Sequence, residues 1–335
     1  MIKYTNKLLF LMILLFSGGV TISATNWLTL WMSLEMNLIA FLPLIMKTKD
    51  KNSSEAMMIY FLIQSIGSML MLMIIILNSL IVISLNFIDY MMISGLMMTL
   101  LLKLGAAPFH FWLPEMMNKM NWINCMILMT WQKITPMIIL NTIVNMSQKM
   151  IYISIILSVI FGAVGGLNQT SLRKIMAFSS ISHLGWMMTL MISQNSWIKY
   201  LILYSIMIIP ACLFFNFYNI YYLNQLIFYS SSMVEKFCYT FIILSLGGLP
   251  PFLGFLPKWM VIQSSLYSNM IPLMFILVMM SLLTLFYYLR LISFLFLNYS
   301  ASMKWFNNVK INNKLVFLII SMMLLLPLAS TMNFY

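Results

Sequence analysis

Charge is what this chain has least of. Lys and Arg number 18, Asp and Glu 6, and charged residues make up 7% of the 335 residues. Soluble domains carry roughly a quarter, so a water-facing globular surface is excluded. Cysteine is nearly missing too. Cys125, Cys212 and Cys238 stand far apart and match no C-x-x-C pair, disulfide framework or iron–sulfur ligand set. Each reads as a small buried hydrophobe. No G-x-G-x-x-G opens a helix after a strand, so a dinucleotide-binding fold is excluded as well. Alternation of polar and apolar residues is absent from the apolar runs, which rules out a β-barrel.

What remains is apolar. Hydrophobic residues make up 63% and mean hydropathy is +0.99. Runs of about 20 apolar residues, the length that crosses a bilayer core, recur from end to end. Eleven spans are expected: 8–24, 27–46, 56–78, 84–113, 122–146, 150–167, 174–193, 198–224, 237–268, 272–297 and 314–332. The start, MIKYTNKLLFLMILLF, has the charge-then-apolar order of a signal peptide, but the spans that follow make a first transmembrane helix the better reading. The expected fold is therefore an all-α polytopic transmembrane bundle, a single domain over 1–335 with no loop long enough for an extramembrane domain. If the chain works in an organelle, it is expected to be made there, since no Arg-rich, Ser-rich transit peptide is seen.

Two of the runs are too long for one straight crossing, and both are interrupted. The fourth contains Gly105-Ala106-Ala107-Pro108; the ninth contains Gly247-Gly248-Leu249-Pro250-Pro251 and then Pro257. Proline lacks an N–H and frees a carbonyl one turn back. Irregular backbone at membrane depth is tolerated only where it faces protein or water. Both runs are expected to be discontinuous helices, the device that ion-moving membrane folds place at their sites.

The net charge of +12 sets topology here rather than marking a nucleic-acid binder. Numbering the spans in order puts twelve loop cations, among them Lys47, Lys49, Lys51, Arg173 and Lys174, on one side and Lys149 and Lys199 on the other. By the positive-inside rule the N-terminus is expected inside and the C-terminus outside. The inner basic loops suit anionic phospholipid headgroups.

Removing the loop residues, and Arg290 near the inner end of the tenth span, which is expected to snorkel toward the same side, leaves Lys103, Lys133 and Lys258 within spans, with Glu35 as the one carboxylate buried among them. A charge at a helix centre costs about 2.5–3.5 kcal/mol on insertion scales, so each is a candidate functional group. Burial favours the neutral amine, and a neighbouring carboxylate favours the ammonium, so pairing Glu35 with Lys103 would make a switch. Lys103 precedes Pro108, Lys133 precedes Pro136, and Lys258 follows Pro257; each has a proline-freed carbonyl nearby. His110 follows the first break, and His183 shares a helical face with Ser179. Either histidine suits a proton relay or a packing hydrogen bond. Asp89 and Glu115 lie near span ends and read as interfacial or capping residues. The 37 methionines form no ligand pattern and read as packing or lipid-facing filler.

The segments WLTLWMSLEMNL (27–38), LLKLGAAPFHFWLPE (101–115), TWQKITP (130–136), GGLNQTSLRKIMAFSSISHLGW (165–186) and GGLPPFLGFLPKW (247–259) together resemble the chain 2 family of mitochondrial NADH:ubiquinone oxidoreductase, respiratory complex I. The resemblance implies an antiporter-like fold of two inverted five-helix bundles, each with one discontinuous helix. It also implies the absence of three N-terminal helices carried by bacterial relatives. It pairs Glu35 with Lys103, continues a hydrated axis through Lys133 and Lys258, and sets His183 beside that axis. The function implied is proton translocation in a hetero-oligomer with other membrane-arm subunits, in the mitochondrial inner membrane, with the N-terminus on the matrix side. NADH, FMN, iron–sulfur clusters and ubiquinone would belong to partner subunits, with no redox centre or metal in this chain. Phospholipid, cardiolipin included, would be a further partner; nucleic acid would not. The alternative is a stand-alone cation/proton antiporter, which would run alone or as a homo-oligomer on a native gel.

Overall fold

The two interrupted runs end their helices in the same way. In the computed structural model, helix α4 (Asn86–Leu104) stops where Gly105 takes a positive φ of 69°. Ala106 N–H then donates to Leu101 O at 3.0 Å and Gly105 N–H to Leu102 O at 3.2 Å. Helix α10 (Met233–Gly247) stops where Gly248 has φ 75°; Leu249 N–H donates to Leu244 O at 3.4 Å and Gly248 N–H to Ser245 O at 3.0 Å. This is the Schellman arrangement, in which a left-handed residue lets the chain double back onto orphan carbonyls. Glycine occupies both positions because a Cβ there is strained. Helix resumes as α5 (Trp112–Lys119) after the first turn and as α11 (Phe255–Tyr267) after the second.

The structure describes residues 2–46, 50–80, 86–193, 197–225 and 233–297. Within these the elements are helical, apart from an isolated bridge between Ser171 and Tyr222. The remaining helices are α1 (Ile2–Ser23), α2 (Trp27–Ile45), α3 (Lys51–Leu80), α6 (Trp122–Ile143), α7 (Gln148–Gly166), α8 (Leu172–Ile192), α9 (Trp197–Phe217) and α12 (Ile271–Leu297). Seven of the described helices, α2, α3, α6, α7, α8, α9 and α12, are long and apolar enough to cross a membrane, and α1, α4 and α10 hold shorter apolar stretches. The eleventh expected span, 314–332, lies outside the described residues, as does the expected C-terminal side of the topology.

The chain divides into Met1–Ser158 and Val159–Tyr335. In the first unit, α2 packs on α1, α3 and α6, and α4 packs on α3 and α6. Pro43 and Pro136 sit inside α2 and α6, which run through them. In the second unit, α8 packs on α9 and α11, while α10 packs on α9 and α12. Serine and threonine hydroxyls along the helices donate to the carbonyl of the preceding turn, as Ser33 does to Leu30 at 2.6 Å and Thr99 to Leu96 at 2.8 Å. That local bond satisfies the hydroxyl without a second helix, which is how a polar side chain survives in an apolar surround. The outer faces carry large apolar side chains such as Met69, Phe16 and Phe275; such a surface suits hydrocarbon and not water.

Candidate functional site

Lys103 and Lys133 open onto one cavity in the first unit. Lys103 stands in the last turn of α4 and Lys133 at the middle of α6, both buried. The stem of Lys103 lies against α3, where a Cβ on Gly67 would come within 3.2 Å of its Cγ. The cavity holds about 20 Å³ of space open to the centre of a water molecule, and its polar lining comes from Asn37, Tyr60, Gln64, Gln132 and Thr135 beside the two lysines. A void of that size with several polar partners has room for water.

Hydrogen bonds hold the lining in place. Gln64 Nε2 donates to the Lys103 carbonyl at 3.1 Å, and Trp112 Nε1 donates to Leu102 O at 3.2 Å. These bonds, with the turn at Gly105, occupy the Leu101, Leu102 and Lys103 carbonyls that the end of α4 would otherwise leave bare. Asn37 Nδ2 donates to Thr135 Oγ1 at 2.9 Å, and Tyr60 Oη donates to Gln132 Oε1 at 3.2 Å. Asn37 Oδ1 and Gln132 Nε2 are buried with no partner in the protein. One is an acceptor and the other a donor, so a water molecule between lining groups could serve both.

Glu35 lies on α2, half-buried, and is not part of the cavity wall. Its carboxylate acts electrostatically on the Lys103 ammonium, with no ion pair inside 4 Å between the two. A nearer pair, Lys119 with Glu55 at 2.7 Å, clips α5 to the start of α3 at the surface. Glu115 is exposed in the first turn of α5, where an acid complements the helix dipole.

In the second unit Lys258 is buried on α11 and donates to Gly247 O at 2.7 Å. That carbonyl is one of those expected to be freed by the proline pair. A Cβ on Gly248 would fall 2.8 Å from the Lys258 Nζ, so the turn and the lysine demand the same glycine. His183 is buried on α8 with Nδ1 2.7 Å from Tyr200 Oη. His110 closes its own turn, with Nδ1 3.3 Å from Pro108 O and its ring 4.2 Å from that of Phe111. Cys125, Cys212 and Cys238 are buried. Among the described residues, no three His, Cys, Asp or Glu side chains gather where they could hold a metal ion.

The residues that sequence reasoning passed over are the neutral ones: Asn37, Tyr60, Gln64, Gln132, Thr135 and Tyr200. A signal was present for some. Tyr60, Gln64 and Gly67 recur at helical spacing, so they share the face of α3 that meets Lys103.

The fold and site define a helical membrane protein with lysines buried around a polar cavity. A family model described as NADH:quinone oxidoreductase/Mrp antiporter, TM matches residues 24–284. NADH-ubiquinone oxidoreductase chain 2 of Locusta migratoria is 42% identical over 98% of this chain and 96% of its own. The protein of the same name from Aedes aegypti is 45% identical over 95% and 94%. The chain belongs to this NADH:quinone oxidoreductase/Mrp antiporter family, and within it to the chain 2 members. Among solved structures, a chain of respiratory complex I from Thermus thermophilus superposes with TM-score 0.81 at 20% identity, covering 95% of this chain and 76% of that one. A chain of the Mrp complex from Dietzia gives 0.73 at 16% identity, covering 86% and 60%. The antiporter-like helical fold is shared with both.

Proposed function

We propose that the chain is a proton-translocating membrane subunit of mitochondrial NADH:ubiquinone oxidoreductase. The observation that carries this is the cavity shared by Lys103 and Lys133. Two amines on one small polar void oppose each other's charging, so a proton gained by one favours its loss from the other. Water lodged between them gives that exchange a route. Glu35 biases Lys103 toward the ammonium and acts as the gate of the pair. Lys258, anchored on Gly247 O, and His183, bonded to Tyr200, handle protons in the second unit. His110, held on the Pro108 carbonyl, closes the turn after α4.

The reading makes the chain one antiporter-like domain with eleven spans and two discontinuous helices. It carries no redox centre: NADH, FMN, iron–sulfur clusters and ubiquinone belong to partner subunits of a hetero-oligomer, and coupling arrives through those neighbours. The membrane is the mitochondrial inner membrane, with the N-terminus on the matrix side and the C-terminus on the intermembrane-space side. The Lys119–Glu55 pair supports that topology, since it joins two segments assigned to the same side. Phospholipid, cardiolipin included, lies at the basic inner loops.

The test is Lys103→Met in the assembled complex, reconstituted in vesicles. NADH-driven proton uptake should fall to a small fraction of the parent rate while the complex still assembles on a native gel. Assembly with a full pumping rate would falsify the proposal. Cation-driven proton exchange by the isolated chain without NADH would favour a stand-alone antiporter instead.

A further inference from the structure

Helix α8 is the most enclosed of the described membrane-length helices, buried along nearly its whole length. It nevertheless carries Ser179, Ser180, Ser182 and His183 on its buried surface. Facing this polar run are Tyr200 and Tyr204 of α9 and Tyr287 and Tyr288 of α12, none more than 2% exposed. Phenylalanine would fill the same volumes with no hydroxyl to desolvate, and a buried hydroxyl costs free energy unless it is bonded. Four retained hydroxyls facing one polar run of α8 therefore need a reason.

The geometry supplies one. His183 Nδ1 lies 2.7 Å from Tyr200 Oη, and the Tyr204 ring centroid is 4.9 Å from that of His183. The Tyr287 and Tyr288 rings are 4.7 Å apart. Ser179, Ser180 and Ser182 each donate to a carbonyl three residues back, at 2.8, 2.8 and 2.7 Å. Their hydrogens are committed, which leaves their oxygens as acceptors. Tyr204 lies beside Ser180. Tyr288 and Tyr287 approach Ser179 and Ser182 without closing a hydrogen bond.

The partner of a histidine decides whether it can change charge. A carbonyl only accepts, so it fixes an N–H where it stands, as Pro108 O does for His110. A carboxylate favours the imidazolium. A phenol does either: its O–H donates to the bare Nδ1 of neutral imidazole, and its oxygen accepts from the Nδ1–H of imidazolium. In the second state the phenol hydrogen must turn to another acceptor, and the neighbouring tyrosine and serine oxygens offer it.

We propose that Tyr200 is the proton relay that makes His183 a reversible proton carrier, with the hydroxyls of Tyr204 and Tyr288 as the acceptors toward which the Tyr200 O–H turns. The step balances. A proton arriving through water adds to the Tyr200 oxygen as the Tyr200 hydrogen passes to Nδ1, so the imidazole becomes imidazolium, the phenol stays neutral and its new O–H turns to a neighbouring oxygen. Release reverses the same transfer and returns the proton to water. The titratable groups on α9, α11 and α12 are Lys199, Tyr200, Tyr204 and Cys212 on the first, Lys258 and Tyr267 on the second, and Tyr287, Tyr288 and Arg290 on the third. The inference rests on the proton-translocating reading above.

The experiment uses the assembled complex in vesicles and records NADH-driven proton uptake against pH for Tyr200→Phe, His183→Gln and the double variant. Tyr200→Phe should assemble, lose several-fold in pumping and shift the pH profile. The double variant should be no worse than His183→Gln, because the two residues act as one unit. A Tyr200→Phe complex with parent rate and parent pH profile overturns the proposal, and so does an additive double variant. If Tyr200→Phe does not assemble, Tyr288→Phe decides. It leaves the His183–Tyr200 bond in place and removes an acceptor, so a smaller loss with a shifted profile supports the proposal and an unchanged profile overturns it. Lys103→Met, run alongside, separates the two ideas. Its full activity would strike the proton-translocating reading, whereas unaffected tyrosine variants beside an inactive Lys103→Met strike this inference alone.

Discussion

The Lys258 ammonium donates to the Gly247 carbonyl at 2.7 Å, so the cation sits on the last residue of the helix that the glycine turn interrupts. A helix C-terminus gathers unsatisfied carbonyls and partial negative charge. A buried cation placed there is compensated by backbone and needs no carboxylate. This explains how one half of the chain keeps a buried lysine with few acids available.

That relationship makes Gly248 vulnerable. Its φ of 75° and the 2.8 Å approach of Lys258 both oppose a Cβ. Gly248→Ala should cost about 1–2 kcal/mol from backbone conformation alone, with the lysine displaced besides. Lowered thermal stability of the assembled complex, together with slower proton uptake, is the expected result.

The cavity predicts a separation of stability from function. Asn37→Leu keeps the side-chain volume, removes the bond to Thr135 and deletes the buried Oδ1 that has no protein partner. The loss of one neutral hydrogen bond costs about 0.5–1.5 kcal/mol, so the complex should assemble. Proton uptake should nevertheless fall several-fold. Parent-level pumping by Asn37→Leu would show that the cavity wall takes no part in proton movement.

Gln64 is expected to matter through backbone. It donates to the Lys103 carbonyl at 3.1 Å, and Gln64→Leu leaves that buried acceptor bare at a cost of about 1–3 kcal/mol. Trp112→Phe removes the donor to Leu102 O, which still receives Gly105 N–H. A thermal-shift comparison should therefore rank Gln64→Leu as the more damaging of the two.

The cysteines supply a control. Cys125 is buried with Sγ 3.6 Å from Met117 O, a weak contact. Cys125→Ala should cost on the order of 1 kcal/mol of packing and leave NADH-driven proton uptake unchanged. A pumping defect here would mean that any core change disturbs the machinery, which would weaken the argument from Asn37.

Much of the fold was legible because its causes are local. Apolar run length marks a membrane helix, and Gly105 with Pro108 or Gly248 with Pro250 marks a place where one must stop. The lysines were legible because a charge in an apolar run is expensive wherever it lies. Gln132 and Asn37 were not, since a neutral amide in a span costs less and carries no comparable signal. The Tyr200 partner of His183 was equally hidden, because one tyrosine among 16 shows nothing of which ring its hydroxyl will meet.

By itself the sequence determined that this protein crosses a membrane, where two apolar runs stop being helical, and that Lys103, Lys133 and Lys258 are buried. Those follow from the transfer cost of each residue and from backbone sterics, which need no knowledge of neighbours. Lys236, which the sequence places in a loop, is buried as well, near the start of α10. Only the tertiary structure decided that Lys103 and Lys133 share one polar cavity, that Lys258 rests on a helix end, and that His183 meets a phenol. Hydrogen bonds depend on distances of a few tenths of an ångström between helices remote in sequence, and packing alone sets those distances.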